Sequence, residues 1–244
     1  VRQRIALATL VVFANQTVLS DRLVEAIWPD RPPAASNNLH VHIYQLRQWL
    51  RRLDADVPDD LLQTRPGGYL LKTLPGERDV DRFDQLLASA RQRAEVDPLE
   101  AVKFYQRALD VWRGPALADV VGHTTALTGE AICLEERRLR ALEELIDIEL
   151  RRGRHAELLP ELLALASAHP LRETLCGQLM TALYRAGRRA EAVSVYIDMK
   201  KILMEDMGLE PSPALRRLYY QILNEDAALA GAPAGGYRAC QLPE

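Results

Sequence analysis

Cysteine is scarce in this 244-residue chain: three residues, Cys133, Cys176 and Cys240, scattered and odd in number. Such a set offers neither a disulfide framework nor a zinc site, and it suits a reducing cytoplasm. Aromatic residues make up only 6%, which leaves little of the material that favours extended sheet. Lysine is rare as well: Lys72, Lys103, Lys200 and Lys201 are four of the 31 basic residues. The excess of arginine reflects the codons of a GC-rich genome rather than a function. No apolar run approaches the roughly 18–20 residues that a membrane span requires, which excludes an integral helical membrane protein. The opening Val1-Arg2-Gln3-Arg4 leads into an apolar stretch without a small-residue cleavage site, so no signal peptide is expected. What the chain does have is 48% hydrophobic and 27% charged residues, dominated by Ala, Leu and Arg. That is enough to build a core, and the composition favours helix. Two domains of ordinary size fit the length.

The charge is unevenly divided. Residues 1–75 carry nine basic and seven acidic side chains, a balance of +2, and residues 76–244 carry 22 and 27, a balance of −5. The first part can meet phosphates and the second can meet proteins.

Periodicity and turn residues give the order of elements. Arg4 to Ala14 is an apolar helical run, broken at Asn15-Gln16, and Val18-Leu19 is a brief extended piece. Ser20 is placed to cap a helix over Asp21–Trp28, and Ser36 to cap a third over about Asn37–Arg52. Leu61 to Arg65 and Tyr69 to Lys72, on either side of Pro66-Gly67-Gly68, have the pattern of a β-hairpin. Three helices and a hairpin in this order describe a winged helix-turn-helix. From Asp79 onward the chain reads as helix. Leu150 to Glu157 aligns with Tyr184 to Glu191 at an offset of 34 residues, the tetratricopeptide period. Gly153 and Gly187 would close the first helix of each repeat, and Ala156 and Ala190 would sit where paired helices approach. Ala101 and Tyr105 repeat the spacing of Ala192 and Tyr196 out of phase; an irregular helical bundle is the alternative. The expected fold is mainly α. An N-terminal winged helix-turn-helix with a β-hairpin wing spans residues 1–75, and an all-α tetratricopeptide-like helical repeat domain spans 76–228. The Ala/Gly/Pro-rich residues 229–244 are expected to form a disordered tail.

On a helical wheel the third helix places Leu39, Ile43, Leu46 and Leu50 on one narrow face that must pack inward. The opposite face carries Asn37, Val41, Tyr44, Gln45, Gln48 and Arg52, with His40, Arg47 and Arg51 on one flank and His42 and Trp49 on the other, next to the core. Amide side chains on an outer face suit hydrogen bonding to base edges, where a carboxamide can pair with adenine, and an outward Val41 suits a thymine methyl. Arg47, Arg51 and Arg52 would hold phosphates without reading sequence. Arg65 at the hairpin tip, with no acid beside it, can enter a narrow minor groove.

Several stretches, in order, resemble the Streptomyces antibiotic regulatory protein family. Its DNA-binding domain, of the OmpR/PhoB winged-helix type, is matched by Asp21-Arg22-Leu23-Val24-Glu25-Ala26-Ile27-Trp28, the spacer Arg31 to Leu39, Val41-His42-Ile43-Tyr44-Gln45-Leu46-Arg47 and Thr64-Arg65-Pro66-Gly67-Gly68-Tyr69. The bacterial transcriptional activation domain that follows it there is matched by Asp79 to Phe83, Ala108 to Leu117, His169 to Glu173 and Gly208 to Pro213. The resemblance covers about residues 2–225. It implies DNA contacts at Asn37, Asn38, Val41, Tyr44, Gln45 and Arg47 in the helix and Arg65 in the wing; many relatives carry Arg where this chain has Gln45. The wheel adds His40, Gln48 and Arg51 to that set. The resemblance also implies a cytoplasmic, nucleoid-associated activator of secondary-metabolite genes. Its partners would be double-stranded promoter DNA, bound as paired protomers on direct repeats, and RNA polymerase. Larger relatives add an ATPase module, and no Gly-x-x-x-x-Gly-Lys-[Ser/Thr] sequence occurs here. The family also has a small antiparallel sheet before the first helix, whereas this sequence starts almost inside that helix. Exposed apolar surface among Ile5, Leu7, Leu10, Val11 and Val12, and a marginally stable first 75 residues, are therefore expected.

No catalytic constellation is found, and no cofactor or metal is implied. His40 and His42 point to different faces, and His123, His155 and His169 are scattered. Cys133 and Cys176 read as core, and Glu130, Glu135-Glu136 and Glu143-Glu144 as solvated helix faces. The rival to a DNA-binding regulator is a helical-repeat scaffold for proteins whose first domain no longer touches DNA.

Overall fold

The computed structural model describes residues 1–229 apart from 29, 31, 33–34, 54–57 and 59, and leaves aside the side chains of Ser36, Asn37 and Ala227. Residues 230–244, and with them nearly all of the expected tail, lie outside the described residues. Helix α1 (Arg2–Val12) buries Ile5, Ala6, Thr9 and Leu10, which recur at helical spacing. Strand β1 (Thr17–Leu19), helix α2 (Ser20–Ile27), helix α3 (Ala35–Leu53) and strands β2 (Leu62–Arg65) and β3 (Gly68–Leu71) follow. This is the winged helix-turn-helix that the sequence suggested. The strands form one antiparallel sheet in the order β1-β3-β2, with Tyr69 opposite both Val18 and Thr64. The hairpin was expected; the third strand beside it was not.

Both proposed serine caps are corrected. Helix α2 begins at Ser20 itself, after Leu19 in extended backbone and without a side-chain cap. The Ser20 N–H donates instead to the carbonyl oxygen of Gly67, 2.9 Å away in the wing turn. A loop carbonyl therefore satisfies one of the helix's unpaired donors. Helix α3 starts at Ala35, so Ser36 lies inside it. Gly67 adopts φ 77°, the left-handed region that the turn after Pro66 requires and that glycine enters without steric cost.

The three helices and the sheet enclose one core containing Leu10, Leu23, Leu39, Ile43, Leu62, Tyr69 and Leu71. Val120 and Leu127 join the same core, and Leu117 packs against it. Leu127 belongs to helix α6 (Thr125–Arg151), which follows helices α4 (Asp79–Arg93) and α5 (Pro98–Leu109). The expected bare face of α1 is thereby corrected. Ile5 and Leu10 are buried, and Leu7, Val11 and Val12 are half-buried against this core. Arg4 of α1 lies 3.9 Å from Asp119. The exit from the wing is fixed by Asn15, which adopts φ 64°. Its carboxamide donates to the Thr73 carbonyl (3.0 Å) and accepts from the Thr73 N–H (2.9 Å). Beyond it the family-like Trp112-Arg113-Gly114-Pro115 lines a cavity of about 550 Å³, where Trp112 stands edge-on to Phe83 at 5.5 Å.

The chain divides into two compact units, residues 1–93 with 103–141 and residues 94–102 with 142–244. In the second, α6 is followed by α7 (His155–Ala168), α8 (Glu173–Arg185), α9 (Arg189–Ile202), a π turn (Leu203–Met207) and α10 (Pro213–Leu223). The 34-residue register is physical. Helix starts at His155 and Arg189 follow helix ends at Arg151 and Arg185, and Gly153 and Gly187 take φ 83° and 76° between them. Arg154 pairs with Glu157, and Arg188 pairs with Glu191 34 positions later. In each pair the arginine holds the glutamate below its usual range. Leu162 and Tyr196 are buried at the same offset. Ala156 and Ala190, however, are exposed; the alanines at helix contacts are Ala182 and Ala192. Ala156 and Ala190 sit on the outward side of the first turns of α7 and α9, whereas Ala192, two residues on, turns inward.

Two further readings are overturned. Glu143 does not lie on a solvated face: it is buried, its carboxylate accepts from Arg172 Nε at 2.6 Å, and its carbonyl accepts from Gln178 at 2.8 Å. Cys133 is exposed, and only Cys176 of the two is buried. Burial, reinforced by Glu173, pushes the Cys176 thiol up to about 12. Because the thiolate is the nucleophile, iodoacetamide at pH 8 should label Cys133 in the native chain and spare Cys176 until denaturant is added. Peptide mass mapping checks this; equal labelling of both without denaturant would contradict the burial. Among the described residues no helix is long and apolar enough to cross a membrane, and no cluster of His, Cys, Asp or Glu could hold a metal ion.

Candidate nucleic-acid interface

Helix α3 is held by the stripe that the wheel picked out. Leu39, Ile43 and Leu46 are buried, with Leu50 half-buried behind them. Turning that stripe inward turns the opposite face out. Val41 is 53% and Tyr44 62% exposed, and Asn38, His40, Gln45, Arg51 and Arg52 are exposed with them. Val41 and Tyr44, one helical turn apart, make this face a candidate contact surface. Asn37 lies on the helix, but its side chain is outside the described residues. Gln48 is half-buried. Trp49, expected against the core, is 45% exposed.

The flank facing the wing departs from expectation. Arg47 Nε donates to the Leu62 carbonyl at 3.0 Å, and Nη2 donates to Thr64 Oγ1 at 2.9 Å. The planar guanidinium spans two acceptors of strand β2, so the residue expected at a phosphate is engaged with the wing. One side of His40 is engaged similarly: its Nδ1 shares a hydrogen bond with Tyr69 Oη at 2.6 Å. Burial raises the Tyr69 phenol above its ordinary value, although Arg47 opposes the shift. His40 and Arg47 are two helical turns apart on one flank, so the helix is tied to the wing at two points along its length. Sequence reasoning placed Thr64 and Tyr69 in the wing but gave neither a part at the site. Arg47→Ala should cost about 2 kcal/mol, typical of lost charged hydrogen bonds, and Arg47→Lys should not restore it. Urea melts with amide exchange at Thr64 check this; wild-type exchange in Arg47→Ala would show the link to be idle.

The wing tip carries Arg65, exposed, with its guanidinium resting on Gln63 of the same strand. On the other side of α3, His42 is packed against Trp28 with ring centroids 5.4 Å apart, and Arg2 lies over the Trp28 ring at 5.7 Å. Burial, then Arg2, lowers the His42 pKa, so the imidazole is held toward its neutral form. It is a packing residue rather than a phosphate contact.

Two family models match this chain. That described as "Transcriptional regulatory protein, C terminal" covers residues 2–71, and that described as "Bacterial transcriptional activator domain" covers residues 78–223. The regulatory protein DnrI of Streptomyces peucetius is 37% identical over 235 residues, 93% of this chain and 86% of DnrI. The chain belongs to the Streptomyces antibiotic regulatory protein family. The regulatory protein AfsR of Streptomyces coelicolor, a larger member, is also 37% identical, and the chain spans 94% of its own length but 22% of AfsR. A solved structure described as Mycobacterium tuberculosis EmbR in complex with low affinity phosphopeptide has a TM-score of 0.85 at 32% identity. It covers 92% of this chain and 59% of the EmbR chain. The family and its named members are transcriptional regulators rather than enzymes. In this chain α3 and the wing are neighbours, joined by the hydrogen bonds of Arg47 and His40.

Proposed function

We propose that this chain is a sequence-specific DNA-binding activator that acts on the nucleoid in the cytoplasm and controls a secondary-metabolite gene cluster. Residues 1–75 bind promoter DNA: α3 enters the major groove, and Arg65 of the wing reaches the adjacent minor groove. Protomers pair on direct repeats, and residues 76–228, with their acidic balance, engage RNA polymerase. The observation that carries this reading is the outer face of α3, where Val41 and Tyr44 stand exposed beside Asn38 and Gln45. Apolar and amide groups together suit base edges and thymine methyls better than they suit water.

The test is fluorescence anisotropy of the full chain on its own upstream promoter duplex and on a shuffled duplex, at two salt concentrations. Preference for the promoter duplex should survive the higher salt. Gln45→Ala should change site preference, relaxing it at the base pair that Gln45 meets and so narrowing the gap between the two duplexes. Arg51→Ala should weaken all duplexes alike and flatten the salt dependence by about one unit of slope. Equal binding to both duplexes, erased by salt, would favour the protein-binding scaffold instead.

A further inference from the structure

Gln45 is the outward residue of α3 with the most to say about base identity, and it does not stand alone. Gln3 Nε2, from the first turn of α1, donates to Gln45 Oε1 at 2.7 Å, across 42 residues of sequence. The neighbouring contacts follow the same line: Arg2 lies over Trp28, and Trp28 packs on His42, one helical turn before Gln45. The start of α1 therefore lies beside the middle of α3, meeting it directly through Gln3 and, by way of Trp28, through Arg2.

From this we infer that Gln3 is a positioning residue that sets the base preference of Gln45. The inference rests on the proposal that α3 reads DNA. A free glutamine carboxamide presents either its oxygen or its amino group, because both faces are open to rotation about its last torsion. Here one of the oxygen's two lone pairs accepts from Gln3, which holds the carboxamide in one orientation and leaves its NH2, with both donors, as the end free to meet a base. A donor pair matches an edge of acceptors, and guanine offers O6 and N7 in the major groove. Adenine places its N6 amino group where the Gln45 donors would meet it, so the usual bidentate glutamine–adenine pair is disfavoured. The tether also orders a long side chain before binding, which lowers the entropy lost on docking. Gln3 itself contacts no base; it acts through Gln45.

The experiment starts with selection from a randomised duplex library by the full 244-residue chain. Anisotropy then follows on duplexes carrying all four bases at each selected position. Affinities are read as ratios between duplexes, so that a uniform loss cancels. The position that loses discrimination in Gln45→Ala identifies the base pair that Gln45 reads. There the wild type should prefer guanine about tenfold, the size expected of a specific base contact. Gln3→Lys, which can only donate, should keep that preference, and Gln3→Ala should flatten it. Gln3→Glu, which can only accept, should turn the Gln45 amide over and shift the preference to adenine or cytosine, whose amino groups donate. Wild-type ratios in all three Gln3 variants would overturn the positioning role while leaving DNA reading intact. A Gln45→Ala chain with unchanged ratios at every position would overturn it too. Failure of the wild type to enrich any duplex would remove the DNA-reading proposal and this inference with it.

Discussion

Gly68→Ala should be among the most damaging single substitutions in the first unit. Gly68 pairs with both Leu19 and Arg65, in the middle strand of the sheet. A Cβ built there would fall 2.1 Å from the Val18 carbonyl oxygen, with the Val18 and Leu19 backbones also within 3.0 Å. Backbone cannot swing aside as a flexible side chain can, so β1 must separate from β3. The Ser20 N–H would then lose its acceptor in the adjoining turn, and α2 its start. A cost of roughly 3 kcal/mol is expected, against a stability of about 5–15 kcal/mol for domains of this kind. Thermal unfolding followed by circular dichroism measures it. The neighbouring Gly67 makes a control by a different mechanism: its Cβ would meet only Leu19 Cδ2 at 3.8 Å, so any loss there comes from its left-handed backbone. A Gly68→Ala chain that melts with the wild type would show that the strands do not approach as described.

Much of the candidate surface was legible in the sequence alone. The 4-3-4 spacing of Leu39, Ile43, Leu46 and Leu50 fixes which way α3 turns, and so which residues are left outside. Pro66-Gly67-Gly68 announces the wing, and the 34-residue echo of Gly153 in Gly187 announces the repeats. What could not be read are partnerships between distant residues. An arginine on a helix flank looks the same whether it will meet a phosphate or, as Arg47 does, a strand carbonyl. Three residues of β1 are too few to show an alternation, and nothing near Gln3 points to Gln45. Glu143 looks like any surface glutamate until Arg172, 29 residues on, closes over it.

Val120→Asp should unfold the winged helix from outside its own sequence. Val120 is 1% exposed and belongs to the core of α1, α2 and α3, although it lies beyond the match to the DNA-binding family model. An unpaired carboxylate in that position meets apolar walls on every side, and a loss of roughly 4 kcal/mol follows. Val120→Ala should cost about 1–2 kcal/mol by area alone. Amide exchange at Leu10 and Ile43 reads the effect where it matters. If both amides keep wild-type protection in Val120→Asp, the core closes without this segment. If protection is lost, residues 1–75 alone are less stable than the full chain, and DNA-binding assays belong on the full chain.

The double tie between α3 and the sheet has a mechanical consequence. With His40 held to Tyr69, Arg47 held to β2, and β1 bracing the hairpin from its far side, helix and wing cannot splay independently. On the proposed role, compliance in the complex then belongs to the duplex. The groove must come to a stiff reader, and steps that bend or narrow cheaply gain affinity even where no side chain touches them. Part of this regulator's choice of site would be written in the elasticity of its DNA.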